Sequence, residues 1–157
     1  MIAQKLKADY PFRCVVGFSD RHTVMVDFDD TSLKRVKSVA EYVCRRFRLE
    51  GFIVLKSSEG NYHVVFNRPI PDWETTLQHI CFIGSITDNP EVWKWIVMQG
   101  VKGSATLRVS PKPSNPHIKP SPRIVYRYGV LDKQVKEFLA FGKLVLNVLR
   151  RIKRSYE

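Results

Sequence analysis

Asp27 and Asp29 stand two residues apart in VDFDD, at the end of the apolar run HTVMVDF, 22–28. Side chains alternate faces along a strand, so both carboxylates project to the same side. Two carboxylates held that close repel each other unless a cation lies between them. Carboxylates completed by water and phosphate oxygens are what Mg²⁺ or Mn²⁺ prefers. The same residues also suit a turn, with Asp30 as a helix N-cap, so the pair by itself leaves both readings open.

The second candidate group lies in KSSEGNYHVVF, 56–66. Ser57, Ser58, Gly60 and Asn61 can present hydroxyls and backbone N–H groups to an anion, and Gly60 supplies the positive φ of a tight turn. His63 follows on the strand, able to donate to a phosphate oxygen. The alternative is a polar hairpin with His63 hydrogen-bonded inside the sheet.

These residues need elements to position them. HTVMVDF reads as a buried strand. Thr31 or Ser32 caps a helix whose apolar positions run from Leu33 to Phe47, stopped by Gly51. GFIVLKSS and NYHVVFNR form a hairpin around Glu59-Gly60-Asn61, ended by Pro69 and Pro71. Asp72 caps a helix to about Phe82, and Asn89-Pro90 opens another. SATLRVS, 104–110, is a fourth strand. PKPSNPHIKPSP, 111–122, has five prolines in twelve residues and is expected to be an extended loop without regular pairing. RIVYRY, 123–128, is a fifth strand, and a helix runs from Leu131 to about Arg154. The order β-α-β-β-α-α-β-β-α predicts an α+β domain spanning 1–157. Its core, about 22–129, is an RRM-like split βαβ arrangement, an antiparallel sheet with helices packed on one face. The basic C-terminal helix follows, at about 131–154. In that arrangement the first strand lies centrally beside the third, which brings His63 towards the aspartates.

The 157-residue chain carries 26 Lys+Arg against 15 Asp+Glu, a net charge of +11. From Lys102 to Arg154 there are thirteen basic residues and two acids, Asp132 and Glu137. Such an imbalance points to an anionic partner, most often nucleic acid; the plainer reading is a solvated face. Apolar runs are too short for a membrane span, and the N-terminus lacks a signal peptide's apolar stretch. Cys14, Cys44 and Cys81 are widely spaced, as free thiols of a reducing cytoplasm are.

The motifs in this order resemble the catalytic core of the archaeo-eukaryotic primase superfamily, including the primase–polymerases of archaeal plasmids and viruses. Val26-Asp27-Phe28-Asp29 matches the family's hydrophobic-Asp-hydrophobic-Asp motif. Ser57 to Phe66 matches its Ser/Gly turn before a histidine and an apolar strand. The resemblance covers roughly residues 22–129. It implies that Asp27 and Asp29 bind Mg²⁺ or Mn²⁺ and that Ser58 and His63 hold the incoming nucleotide's phosphates.

The family's third motif supplies a further acid on a later strand, where this chain has Arg108. Asp88 is the nearest substitute, while Arg108 and Lys112 would neutralise phosphate charge. The family also carries an α/β module ahead of its first motif, and only 26 residues precede Asp27. A minimal or partner-dependent replication enzyme is therefore expected, in the cytoplasm of a prokaryotic host and encoded by a virus or plasmid. It would use nucleotide triphosphates and act on DNA rather than RNA, with a helicase or other replication subunit as a candidate partner. Lys119, Arg123, Arg127, Arg150, Arg151, Lys153 and Arg154 would hold the template.

Three other readings use the same residues. A metal-dependent nuclease would use Asp27 and Asp29. A replication initiator would need a His-hydrophobic-His pair, and His63 lacks its partner. A non-catalytic basic module would stack bases on Tyr62, Phe66, Tyr126 and Tyr128.

Overall fold

The computed structural model describes residues 15–113 and 118–155; Cys14 and the middle of the proline-rich segment lie outside them. In chain order the elements are β1 (Gly17–Asp20), β2 (Met25–Phe28), α1 (Leu33–Arg46), β3 (Gly51–Ser58), β4 (Asn61–Phe66), α2 (Trp73–Thr87), α3 (Pro90–Lys102), β5 (Ala105–Arg108), β6 (Lys112–Pro113), β7 (Ile118–Lys119), β8 (Arg123–Gly129) and α4 (Gln134–Ser155).

Local chemistry sets most of these boundaries. Ser32 is the N-cap of α1, its hydroxyl accepting from Arg35 N at 3.2 Å. Asp72 and Asn89 cap α2 and α3 in the same way, with Pro90 in the first turn of α3, where its missing N–H costs no helix bond. At Gly51 a Cβ would lie 2.2 Å from Val130 O and 2.5 Å from Tyr128 O, so only glycine lets β3 begin this close to β8.

The main sheet has four antiparallel strands in the order β2-β4-β3-β8. β4 lies between β2 and β3, which therefore run parallel to each other and are joined through α1, as in a split βαβ unit. β2 is an edge strand, not the central one expected. The fourth anticipated strand, β5, packs beside β2 but pairs with β1 in a separate two-stranded sheet. β1 itself, GFSD, was not anticipated, because four residues without alternating hydrophobicity carry no strand signal. The proline-rich segment does pair: Lys112 faces Lys119 and Pro113 faces Ile118 in a two-residue ladder. The ladder is this short because Pro111, Pro113 and Pro120 offer no N–H.

Register fixes the two faces of the sheet. Val26, Val64 and Val54 are neighbours on one face, together with Phe28, Tyr62, Phe52 and Phe66. Glu41 of α1 accepts from Tyr126 OH of β8 at 2.8 Å, and α2 packs on α1 through Phe47 and Phe82, centroids 4.9 Å apart. Asp27, His63 and Leu55 are neighbours on the opposite face, with Met25, Val65 and Ile53 next along. Those last three are fully buried, so this face also needs cover. α4 supplies it: Leu55 shares a cavity wall with Phe138 and Leu139 of α4. The first turns of α4 are anchored, with Phe138 5.4 Å from Phe18 of β1 and Gln134 Nε2 2.7 Å from Thr23 Oγ1. The architecture is thus α+β, with antiparallel sheets and, among the described residues, four helices, of which the long C-terminal α4 adds a layer opposite α1.

Candidate active site

α4 leaves one end of its face uncovered, and there the sheet holds a cavity of about 390 Å³. Its walls include Asp27, Asp29, Ser57, Ser58, Asn61, His63, Arg108, Lys112 and Lys119. Residues separated by up to 92 positions in the chain thus face one space, brought there by β2, the β3–β4 hairpin, the end of β5 and the β6–β7 ladder. Val15, Thr106 and Leu107 also line it and were not anticipated. Thr106 was accessible to reasoning, since it stands two residues before Arg108 on one strand and so shares its face.

Asp27 and His63 are directly opposite each other in the β2–β4 ladder, with His63 Nε2 3.5 Å from Asp27 Oδ1. Burial pushes the Asp27 carboxyl up to about 8, and the neighbouring Asp29 adds to the rise; Arg108 and Lys112 oppose it. Burial, reinforced by the Arg108 charge, drives His63 down to about 3. The imidazole is therefore neutral, and the 3.5 Å approach is not an ion pair. Asp27 Oδ1 and His63 Nδ1 are two of the three buried side-chain polar atoms, among the described residues, without a hydrogen-bond partner. Buried polar atoms are ordinarily paired. Both exceptions fall on one facing pair at the wall of the cavity.

Expected roles at the hairpin divide. Gly60 has φ +75° as the turn requires, but its carbonyl accepts from Thr31 N at 3.0 Å and it does not line the cavity. It shapes the turn from outside the cavity lining. Ser57 donates its hydroxyl to Asn61 O at 3.1 Å, closing the irregular end of the hairpin. Ser58 Oγ accepts from Asn61 Nδ2 at 2.6 Å, which leaves its own proton to donate. Asn61 Oδ1 in turn accepts from Asp30 N at 3.0 Å, tying the tip to the end of β2. His63 is 4% exposed: buried as a structural histidine would be, yet not hydrogen-bonded as one.

The basic side of the cavity is equally constrained. Arg108 donates to Ser110 O at 2.5 Å, Pro120 O at 3.0 Å and Ser57 O at 3.2 Å, which fixes its guanidinium plane. Lys112 and Lys119 are directly opposite in their ladder. Like charges so placed destabilise a strand pair, and an anion between them would relieve it. Lys119, expected to hold template, belongs to this cavity. Arg123 and Arg127 do not; they are exposed on β8, three strand spacings or roughly 14 Å across the sheet from β2. Arg150, Arg151, Lys153 and Arg154 are exposed at the end of α4.

Asp88 is not part of the site. It is the left-handed C-cap of α2, φ 52°, and its cavity is a separate one beside Asp30, Ser32 and Arg35. Among the described residues no group of three or more His, Cys, Asp and Glu is placed to hold a metal ion. Asp27 and Asp29 nevertheless fit a hard divalent cation: a buried carboxylate oxygen without a partner, a second carboxylate beside it, and an open polar cavity for water and phosphate oxygens. Mg²⁺ is commonly held by just one or two carboxylates plus substrate phosphates.

The aromatic residues of the base-stacking reading are committed elsewhere. Tyr62 and Phe66 are buried, Tyr128 stacks on Phe52 at 5.0 Å, and Tyr126 carries Lys37 over its ring at 4.1 Å. Among the described residues no helix is long and apolar enough to cross a membrane. Compared with models of protein families, with curated proteins and with solved structures, the chain matches none.

Proposed function

We propose that this chain is a metal-dependent nucleotidyltransferase with a primase–polymerase-like site, acting on nucleic acid. The observation that carries the reading is the convergence of two carboxylates, a buried neutral histidine, a hydroxyl and three cationic side chains on one cavity. Acids paired on one wall call for a cation, and lysines paired on another call for an anion. A divalent ion with a nucleotide triphosphate supplies both.

Bound Mg²⁺ or Mn²⁺ would stabilise the charge that develops on the transferring and leaving phosphates. Asp27 and Asp29 would hold the cation, with Asp27 giving up its proton to do so. His63, neutral and directly across the ladder from Asp27, packs against that carboxylate and limits its movement. Arg108, Lys112 and Lys119 neutralise the triphosphate, and Ser58 donates to one of its oxygens. Because Arg108 is already pinned by three carbonyls, little reorganisation is needed when phosphate charge arrives. The exposed basic end of α4 offers the backbone of a template strand its counter-charge.

Calorimetry with Mn²⁺ and a triphosphate tests the site, and a primer-extension assay tests the reaction. Wild type should bind Mn²⁺ and extend a primer, and Asp27→Asn should do neither while keeping its fold. A wild type that binds no Mn²⁺ even with nucleotide present sinks the proposal. Cutting of a labelled strand without extension would assign the same carboxylates to hydrolysis.

A further inference from the structure

A second cavity, of about 300 Å³, lies between α4 and the sheet. Its walls are apolar, formed by Leu55, Val109, Phe138 and Leu146, and Asn147 and Arg150 stand exposed at its edge. This is the size at which small-molecule pockets begin, and apolar walls with a few polar groups are their usual composition.

The cavity adjoins the acidic site along three segments. On β3, Leu55 lines this cavity and Ser57, on the same face, lines the other. At the end of β5, Arg108 lines both and Val109 only this one. In the proline-rich segment, Lys119 lines the acidic site and Ser121 this cavity. Leu55 is also the direct cross-strand neighbour of His63. The pinned guanidinium of Arg108 is thus a shared wall.

Gly142 adds an independent sign. It sits in the interior of α4, where glycine is the least favourable residue after proline. No close packing requires it: a Cβ there would meet Val109 at 3.7 Å, an ordinary contact. What the missing side chain does is widen this cavity, whose wall Gly142 forms.

We propose that this cavity is a nucleoside pocket, seating the base and sugar of the nucleotide whose phosphates fill the Asp27–Lys112 cavity. The inference rests on the triphosphate reading above. Apolar walls and the Arg108 plane suit a flat ring system, while the amide of Asn147 offers a donor and an acceptor to its edge. A base held this way is held by protein, so the nucleotide binds without a template strand.

The test uses the full chain with Mn²⁺ and no template, titrated with ATP and with inorganic tripolyphosphate. ATP should bind at least about tenfold more tightly than tripolyphosphate. Gly142→Leu, which fills the cavity, should bring ATP down to the tripolyphosphate level and leave tripolyphosphate itself unchanged. Gly142→Ala should keep the preference for ATP. Equal affinities in wild type overturn the pocket but leave the phosphate site standing, and need no variant to fold. If neither ligand binds, the phosphate site falls and the pocket with it. If Gly142→Leu weakens a short single-stranded oligonucleotide but not ATP, the groove holds a strand and the proposal is overturned.

Discussion

On the α1 side of the sheet, Val26, Val64 and Val54 lie side by side, each fully buried, with Phe28, Phe52 and Phe66 next to them. One residue along each strand, Asp27 and His63 face the other way and line a polar cavity. The same three strands make both surfaces, because side chains alternate. The closed face satisfies the ordinary rule: apolar groups packed, and the tyrosine hydroxyl of Tyr126 hydrogen-bonded to Glu41. The open end breaks it, with a carboxylate raised by burial, a histidine lowered by burial, and unpaired atoms on both. A fold can carry such an exception only where its remaining layers are sound. Here α1 and the anchored first turns of α4 provide them. The exception is consequently informative about binding, and the closed face about stability.

The sharpest way to break the comparison is to mutate one residue from each face. Phe66→Ala on the closed face should cost about 3–5 kcal/mol, as buried phenylalanine truncations do, and should change metal affinity only through loss of folded protein. Asp27→Asn should do the reverse: an unchanged or higher melting temperature, no Mn²⁺ binding, and turnover reduced at least about a hundredfold, the scale of losing one preorganised charge-stabilising group. Thermal melts and calorimetry on both proteins decide it. If Asp27→Asn melts well below wild type, the carboxylate is a structural element and the two faces are not different in kind.

His63 tests the boundary between the faces, since it is buried like one and unpaired like the other. His63→Leu retains much of the volume and removes no hydrogen bond, so it should cost less than about 1.5 kcal/mol. Triphosphate affinity should still fall about tenfold, because Asp27 loses the group opposite it. Denaturant unfolding and nucleotide titration separate the outcomes. A large stability loss with unchanged affinity would place His63 with the core.

Stability against pH gives a smaller effect with a definite sign. Between pH 6.5 and about 8, Asp27 keeps its proton in the folded protein, where burial and Asp29 raise it, and has lost it in the unfolded chain. The folded state binds the extra proton, so the metal-free protein should lose stability as pH rises through that window. His63 contributes the opposite slope lower down. Its folded value of about 3 makes the unfolded state the proton binder from there to about 6.5, and its share of stability rises with pH. Mn²⁺ must displace the Asp27 proton, so metal stabilisation should grow from pH 6.5 to 8 and then level off. Melting curves with and without Mn²⁺ at pH 6.5, 7.25 and 8 are sufficient. A metal-free melting temperature that climbs over that range contradicts the raised carboxyl.

Much of this comparison was legible in the sequence, and the losses have physical reasons. Arg108 and Lys112 were picked out only through the resemblance to the primase family, whereas Asp27, Asp29, Ser58 and His63 were identifiable because strand alternation and turn chemistry are local. The helix starts at Ser32, Asp72 and Asn89 were legible for the same reason. Position in the sheet was not, since whether β2 is central or at an edge depends on where β5 goes, and β5 goes to β1. Asp88 was misplaced because its carboxylate was judged by proximity in sequence, while its left-handed conformation serves the end of α2. Gly60 has the positive φ expected of it but lies outside the cavity lining, because the turn it makes sits beyond the last cavity-facing residues of the hairpin. The second cavity carried no signal ahead of the fold, because Leu55, Val109 and Gly142 look like ordinary packing until α4 is laid across them.

The smallest expected effect concerns the far end of α4. Beyond Phe141 no residue of this helix is fully buried, and Arg151, Lys153 and Arg154 are exposed. If they neutralise phosphates of a bound strand, removing each charge should flatten the dependence of log affinity on log salt by about 0.7 for single strands or 0.9 for duplex. Arg151→Gln, Lys153→Gln and Arg154→Gln combined should therefore lower the slope by as much as about two to three units. Binding should weaken at low salt without moving the melting temperature. Arg150 is left in place because it lines the cavity beside α4, and its loss would mix base binding with strand binding. The measurement is a titration of a labelled oligonucleotide at four salt concentrations, repeated with Mn²⁺. An unchanged slope would make this basic helix end a solvated surface.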